Sequence, residues 1–198
     1  MGIWRLRQAF KFFGMSLSQL KLLVRPPLRP FEMGSLEDWP AVEQKLGIAL
    51  PAEYRDFILT YGTGRFASFY LVYNPFSVCK WLNLHQQVEQ LCQQEREFKK
   101  EFPSAIPYKL FPDRPGLLPW AGDENGNYYY WLTEGPPDSW LVISQEGRGE
   151  GFREYGRCMT DFFCDVFTGK IDALCGEYPK PEHLVFKLID SREKADEA

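Results

Sequence analysis

The segment Leu46-Gly47-Ile48-Ala49-Leu50-Pro51-Ala52-Glu53-Tyr54-Arg55-Asp56-Phe57-Ile58-Leu59-Thr60-Tyr61-Gly62 constrains the fold of this chain more than any other. Glycine ends one helix, proline opens the next, and a second glycine closes that one. Proline suits the first helical turn, where its missing N–H costs nothing, and Glu53 sits where the helix dipole favours a negative charge. Tyr54, Phe57, Ile58 and Tyr61 follow at i, i+3, i+4 and i+7, which makes one apolar face. Gly62 is expected as a left-handed cap. Two helices joined by a short loop must therefore lie against something larger.

The rest of the chain supplies it. Before the loop, Asp38 is placed to cap a helix burying Trp39, Val42 and Leu46. After it, Arg65–Tyr73 alternates as one strand ending at Asn74-Pro75, and Asn83 caps a helix to about Lys100 with Leu84, Val88, Leu91 and Phe98 inward. A meander follows. Leu117–Ala121, Tyr128–Leu132, Trp140–Ser144 and Phe152–Tyr155 read as strands, with Gly122–Asn127 as turn chemistry. Thr160–Thr168 is a final helix burying Phe162, Phe163, Val166 and Phe167, and Leu184–Ile189 stays without a type. Aromatic residues at 16% with 15 Pro and 16 Gly favour a sheet with many turns over a helical bundle. The fold class is α+β, with about four helices after residue 33 and a mostly antiparallel sheet of about five or six strands.

Domain organisation follows from charge. Residues 1–32 carry Arg5, Arg7, Lys11, Lys21, Arg25 and Arg29 against the single acid Glu32; the remaining 166 residues hold 17 basic and 26 acidic ones, a net of −9. The expected division is a basic, Pro-rich arm over 1–34, a domain over 35–190 and a charged tail over 191–198. Two readings of the arm stand: a presequence or membrane-surface helix, or a translated leader and loosely attached arm. No apolar run reaches the roughly 20 residues of a membrane span. The acidic remainder disfavours nucleic acid and suits either plain solubility or a basic protein partner.

Chemistry is sparse. Cys79, Cys92, Cys158, Cys164 and Cys175 are odd in number, lack C-x-x-C spacing, and fit reduced thiols in a cytoplasmic setting. With only His85 and His183 there is no expected metal site, cofactor or nucleophile–base arrangement, so the chain reads as a non-enzyme. Gly147-Arg148-Gly149-Glu150-Gly151 lacks the Lys-Ser/Thr end of a phosphate loop and reads as a hairpin loop. Tyr128–Trp131 reads as core packing, since no basic residues interleave to hold RNA. Asp123 and Glu124 form an acidic pair in a turn; with Glu146, Glu150 and Glu154 they are the candidate partner-binding carboxylates, beside Trp120 as a candidate anchor or core residue.

Several of these pieces together resemble the SUKH superfamily, the SMI/KNR-like domain. Trp39, Glu43, Leu46-Gly47 and Leu50-Pro51 are similar to its opening motif, Leu118–Asp123 with Gly126 to its central strand and G-D-x-x-G turn, Trp140-Leu141-Val142 to the next strand, and Asp161-Phe162-Phe163 with Gly169 to its closing helix. The long Asn74–Pro115 stretch, the Tyr128–Tyr130 run and the basic arm depart from the pattern. The resemblance implies a twisted, mainly antiparallel sheet flanked by helices, and a protein that binds protein without catalysis. Many bacterial members are immunity proteins that neutralise a cognate toxin, and fungal members are regulatory interaction proteins, so the resemblance implies immunity first, with a regulatory adaptor for an endogenous partner as the alternative. A basic nuclease-like toxin would suit the acidic edge.

Overall fold

The computed structural model describes residues 15–147, 151–172 and 180–189. In chain order it contains α1 (Met15–Leu23), α2 (Trp39–Leu46), α3 (Ala52–Tyr61), β1 (Gly64–Phe66), β2 (Tyr70–Val72), α4 (Leu84–Glu101), β3 (Lys109–Leu110), β4 (Gly116–Asp123), β5 (Tyr128–Leu132), β6 (Leu141–Gln145), β7 (Phe152–Glu154), α5 (Met159–Phe167) and β8 (Lys187–Leu188). The sheet runs β7-β6-β5-β4-β2-β1-β8, antiparallel throughout, with β3 adding a short parallel pair to β4. The architecture is α+β.

β4 is the middle of the sheet, and all eight of its residues are buried. Pro119 has no N–H to give a central ladder, and the strand absorbs it with a bulge: Pro119 faces Tyr130, Ala121 faces Tyr129, and Trp120 is the extra residue between them. Alternation then sorts the aromatic strand. Tyr129 and Trp131 enter the main core with Trp120, Tyr54, Phe57 and Phe163, while Tyr130 joins Ile106, Leu110, Leu117 and Ile143 in a smaller cluster.

The α2–α3 unit forms as its sequence dictates, with one difference. Gly47 takes the left-handed conformation (φ 76°) and its N–H bonds the Glu43 carbonyl at 2.8 Å. Glu43 locks the loop: its Oε1 accepts from the Leu50 N–H at 2.8 Å and lies 3.6 Å from Arg55 Nη1. Gly62, however, has φ 66° and ψ −150°, an extended region open to glycine and not a left-handed cap. Its role is close approach, since a Cβ there would meet the Phe31 backbone.

Other expectations need correcting. Ser35, not Asp38, begins the first helical turn; the Asp38 carboxylate reaches back to the Ser35 N–H and hydroxyl, both at 2.8 Å. The single strand over Arg65–Tyr73 is a hairpin, because Ala67 and Ser68 take positive φ (51° and 57°) and reverse the chain without a glycine to announce it. That hairpin, β3 and β8 bring the sheet to eight strands instead of five or six. Phe98 is 47% exposed; it packs on Phe102 at 5.0 Å in the last turns of α4, and Cys92 takes the inward position.

The arm also differs from a loose attachment. Leu20 and Val24 are fully buried in the main core, α1 packs on α5 and α3, and the Tyr61 hydroxyl donates to the Val24 carbonyl at 2.7 Å. Phe31 then pairs with Gly62 as an isolated bridge. The apolar α1 face outweighs the charge break that sequence composition suggests. Residues 1–14 and the tail over 191–198 lie outside the described residues.

Candidate partner-binding surface

The β4–β5 turn is built around one carboxylate. Asp123 Oδ1 accepts from the Asn125 N–H (2.9 Å) and the Asn127 N–H (3.1 Å), and Oδ2 accepts from Asn127 Nδ2 (2.9 Å) and the Tyr129 hydroxyl (2.8 Å). Gly126 completes the turn at φ 83°. Four donors saturate the carboxylate and bury it, so Asp123 organises the turn and offers no free acceptor to a partner. This corrects its candidate role as a contact. Of the two readings of Trp120, anchor or core residue, the structure takes the core: it is 0% exposed, stacked on Trp131 at 5.6 Å and edge-on to Phe163 at 5.6 Å.

The remaining carboxylates reach solvent. Glu124 is exposed at the tip of the turn, with Oε1 2.8 Å from Arg65 Nε on β1. Glu146 is exposed just beyond β6. The two loops that carry them are clasped together, because the Gly147 N–H donates to Asn127 Oδ1 at 3.0 Å and Gly147 lies so close to Gly126 that a Cβ would strike its carbonyl. The structure thus brings Glu124 and Glu146 to one end of the sheet across 22 residues of chain. Glu154 stands on β7, the last strand of the sheet, opposite Ile143, and its Oε1 accepts from the Tyr108 hydroxyl at 2.7 Å. Burial, followed by that hydrogen bond, pushes the Tyr108 hydroxyl up to about 12. Glu150 lies outside the described residues.

Sequence reasoning missed Arg65 as the counter-charge of Glu124 and Asn127 as the clasp. Arg65 lies on a strand far from the turn in sequence, and only the β1-β2-β4 register brings it there. A shallow groove of about 430 Å³ also opens between α4 and Phe111-Pro112. Its walls are Val88, Cys92, Phe111 and Pro112 with Glu89, Gln93 and Arg96. Burial pushes the Cys92 thiol up to about 11, which leaves it a neutral wall and no nucleophile. Among the described residues, no three His, Cys, Asp or Glu side chains converge as a metal site, and no helix is long and apolar enough to cross a membrane.

The chain thus builds an open, mainly antiparallel sheet packed with helices around a dense aromatic core, with Glu124 and Glu146 gathered at one end. The model of the SMI1 / KNR4 family (SUKH-1) matches residues 33–164, two thirds of the chain, and the protein belongs to that family. No curated protein and no solved structure matches it.

Proposed function

We propose that this protein is a non-enzymatic binder that neutralises a cognate toxin, docking it on the exposed carboxylates Glu124 and Glu146 at one end of the sheet and Glu154 on the edge strand β7. Membership of the SMI1 / KNR4 family carries this reading, since that family is one of protein-binding domains. The exposed carboxylates and the net of −9 outside the basic arm support a basic partner, because complementary charge raises the association rate and selects against wrong partners. Inhibition is occlusion of the toxin's active site without turnover.

The test pairs co-expression with a binding measurement. Rescue of growth against one toxin, with a stable complex, is the expected outcome. Glu146→Lys with Glu154→Lys should slow association severalfold and make binding less sensitive to added salt. Rescue without a physical complex would reject occlusion, and capture of an endogenous protein with no toxin rescue would favour the adaptor.

A further inference from the structure

We infer that the outer side of α1 and the Arg25–Pro30 segment form a docking surface for an anionic lipid bilayer. The core holds this segment by its other side: Leu20 and Val24 are buried, the Tyr61 hydroxyl bonds the Val24 carbonyl, and the Thr63 N–H bonds the Phe31 carbonyl at 2.7 Å. Both ends of the run are therefore anchored. Between and beside those anchors, Leu22 is 84% exposed and Leu28 103%, the two most exposed large apolar side chains among the described residues. Lys21, Arg25 and Arg29 are exposed with them and make no ion pair among the described residues.

Isolated exposed leucines need no explanation, but leucines flanked by cations that pair with no acid among the described residues match the two terms of interfacial binding: apolar insertion below the headgroups and attraction to anionic lipid. Pro26, Pro27 and Pro30 help, because they have no N–H to strip of water as the segment enters the headgroup layer. The chain before α1 continues the same composition, with Arg5, Arg7 and Lys11 among Trp4, Phe10, Phe12 and Phe13 and no acid. The net of −9 elsewhere gives the molecule a charge asymmetry that orients this side toward the bilayer. A phosphate backbone would use the cations but leave Leu22 and Leu28 idle, and a proline-recognising protein module would use Pro27–Pro30 but not Lys21 or Leu22.

The experiment is co-sedimentation of the full chain with vesicles of phosphatidylcholine alone and of equimolar phosphatidylcholine and phosphatidylglycerol. Binding to the anionic vesicles alone, weakened by salt, is expected. Each cation near such a surface contributes about fivefold, so the triple Lys21→Ala, Arg25→Ala, Arg29→Ala variant should bind on the order of a hundredfold less. Leu22→Ser with Leu28→Ser should bind at least about tenfold less. All five side chains are solvent-facing, and an unchanged melting temperature verifies that the variants fold. Failure of the full chain to sediment with anionic vesicles at low salt overturns the proposal. So does binding that survives both variants, or preferential capture of duplex DNA or of a proline-recognising domain.

Discussion

The Glu53 carboxylate caps a helix that begins 106 residues later: its Oε1 accepts from the Met159 N–H at 2.8 Å, and Oε2 takes the Thr160 N–H at 3.1 Å and hydroxyl at 2.6 Å. α5 needs this, because the residue at its N-cap, Cys158, makes no side-chain cap bond. α3 has the same deficit at Pro51, and Asp138 fills it by accepting from the Ala52 N–H at 2.7 Å. The β5–β6 connection thus caps α3, and the first turn of α3 caps α5, tying the helix layer together in a chain of borrowed carboxylates.

Glu53→Ala should therefore destabilise the fold by about 1.5–3 kcal/mol, the range for hydrogen bonds to a charged group. Urea unfolding checks this, and a double-mutant cycle with Thr160→Val should show a coupling that Glu53 does not share with Thr168. Equal stability of wild type and variant would mean that solvent caps α5 as well.

Phe163 is fully buried and touches Phe57, Phe66, Tyr70, Trp120 and Phe167. Phe163→Ala should cost about 3–5 kcal/mol, since neighbouring rings from five elements cannot all collapse into the space. An unchanged melting temperature would contradict this packing.

Removing residues 1–32 should strip Leu20 and Val24 from the core and expose α3 and α5. Loss of two such side chains corresponds to about 3–6 kcal/mol, enough to endanger a domain of ordinary stability. Leu20→Ala, at about 2–5 kcal/mol, is the milder version of the same test. A truncated chain with unaltered melting would show α1 to be dispensable.

Asp165 predicts a pH dependence. Partial burial works to raise its pKa, but hydrogen bonds from Arg157 (Nε, 2.7 Å) and Lys170 (Nζ, 3.2 Å) outweigh this and hold the carboxyl below its ordinary value. The unfolded chain binds this proton first. The contribution is then complete above the unfolded pKa of about 3.9 and is lost as pH falls through the lower folded value. Asp165→Asn should be less stable than wild type at neutral pH, with the gap closing as acid is added. A gap that widens in acid would refute the assignment.

The local rules of the chain were legible in its sequence. Apolar spacing placed α2, α3, α4 and α5, and the dense aromatic run placed β5 as a core strand, because helical periodicity and β-favouring residue types leave the same signature wherever an element packs. The Gly122–Asn127 turn was legible for the same reason, since its backbone geometry demands those residue types. Tertiary structure alone decided what lies across long stretches of chain. Asp123 looked available for contact until four donors enclosed it, and Trp120 stood between anchor and core until its ring stack on Trp131 decided for the core. The arm looked separable by charge until α1 found the α3–α5 surface, and Phe98 looked inward until α4 carried it to solvent. Composition and spacing record each residue's nature, whereas its exposure and its counter-charge depend on register and packing between segments that the sequence keeps apart.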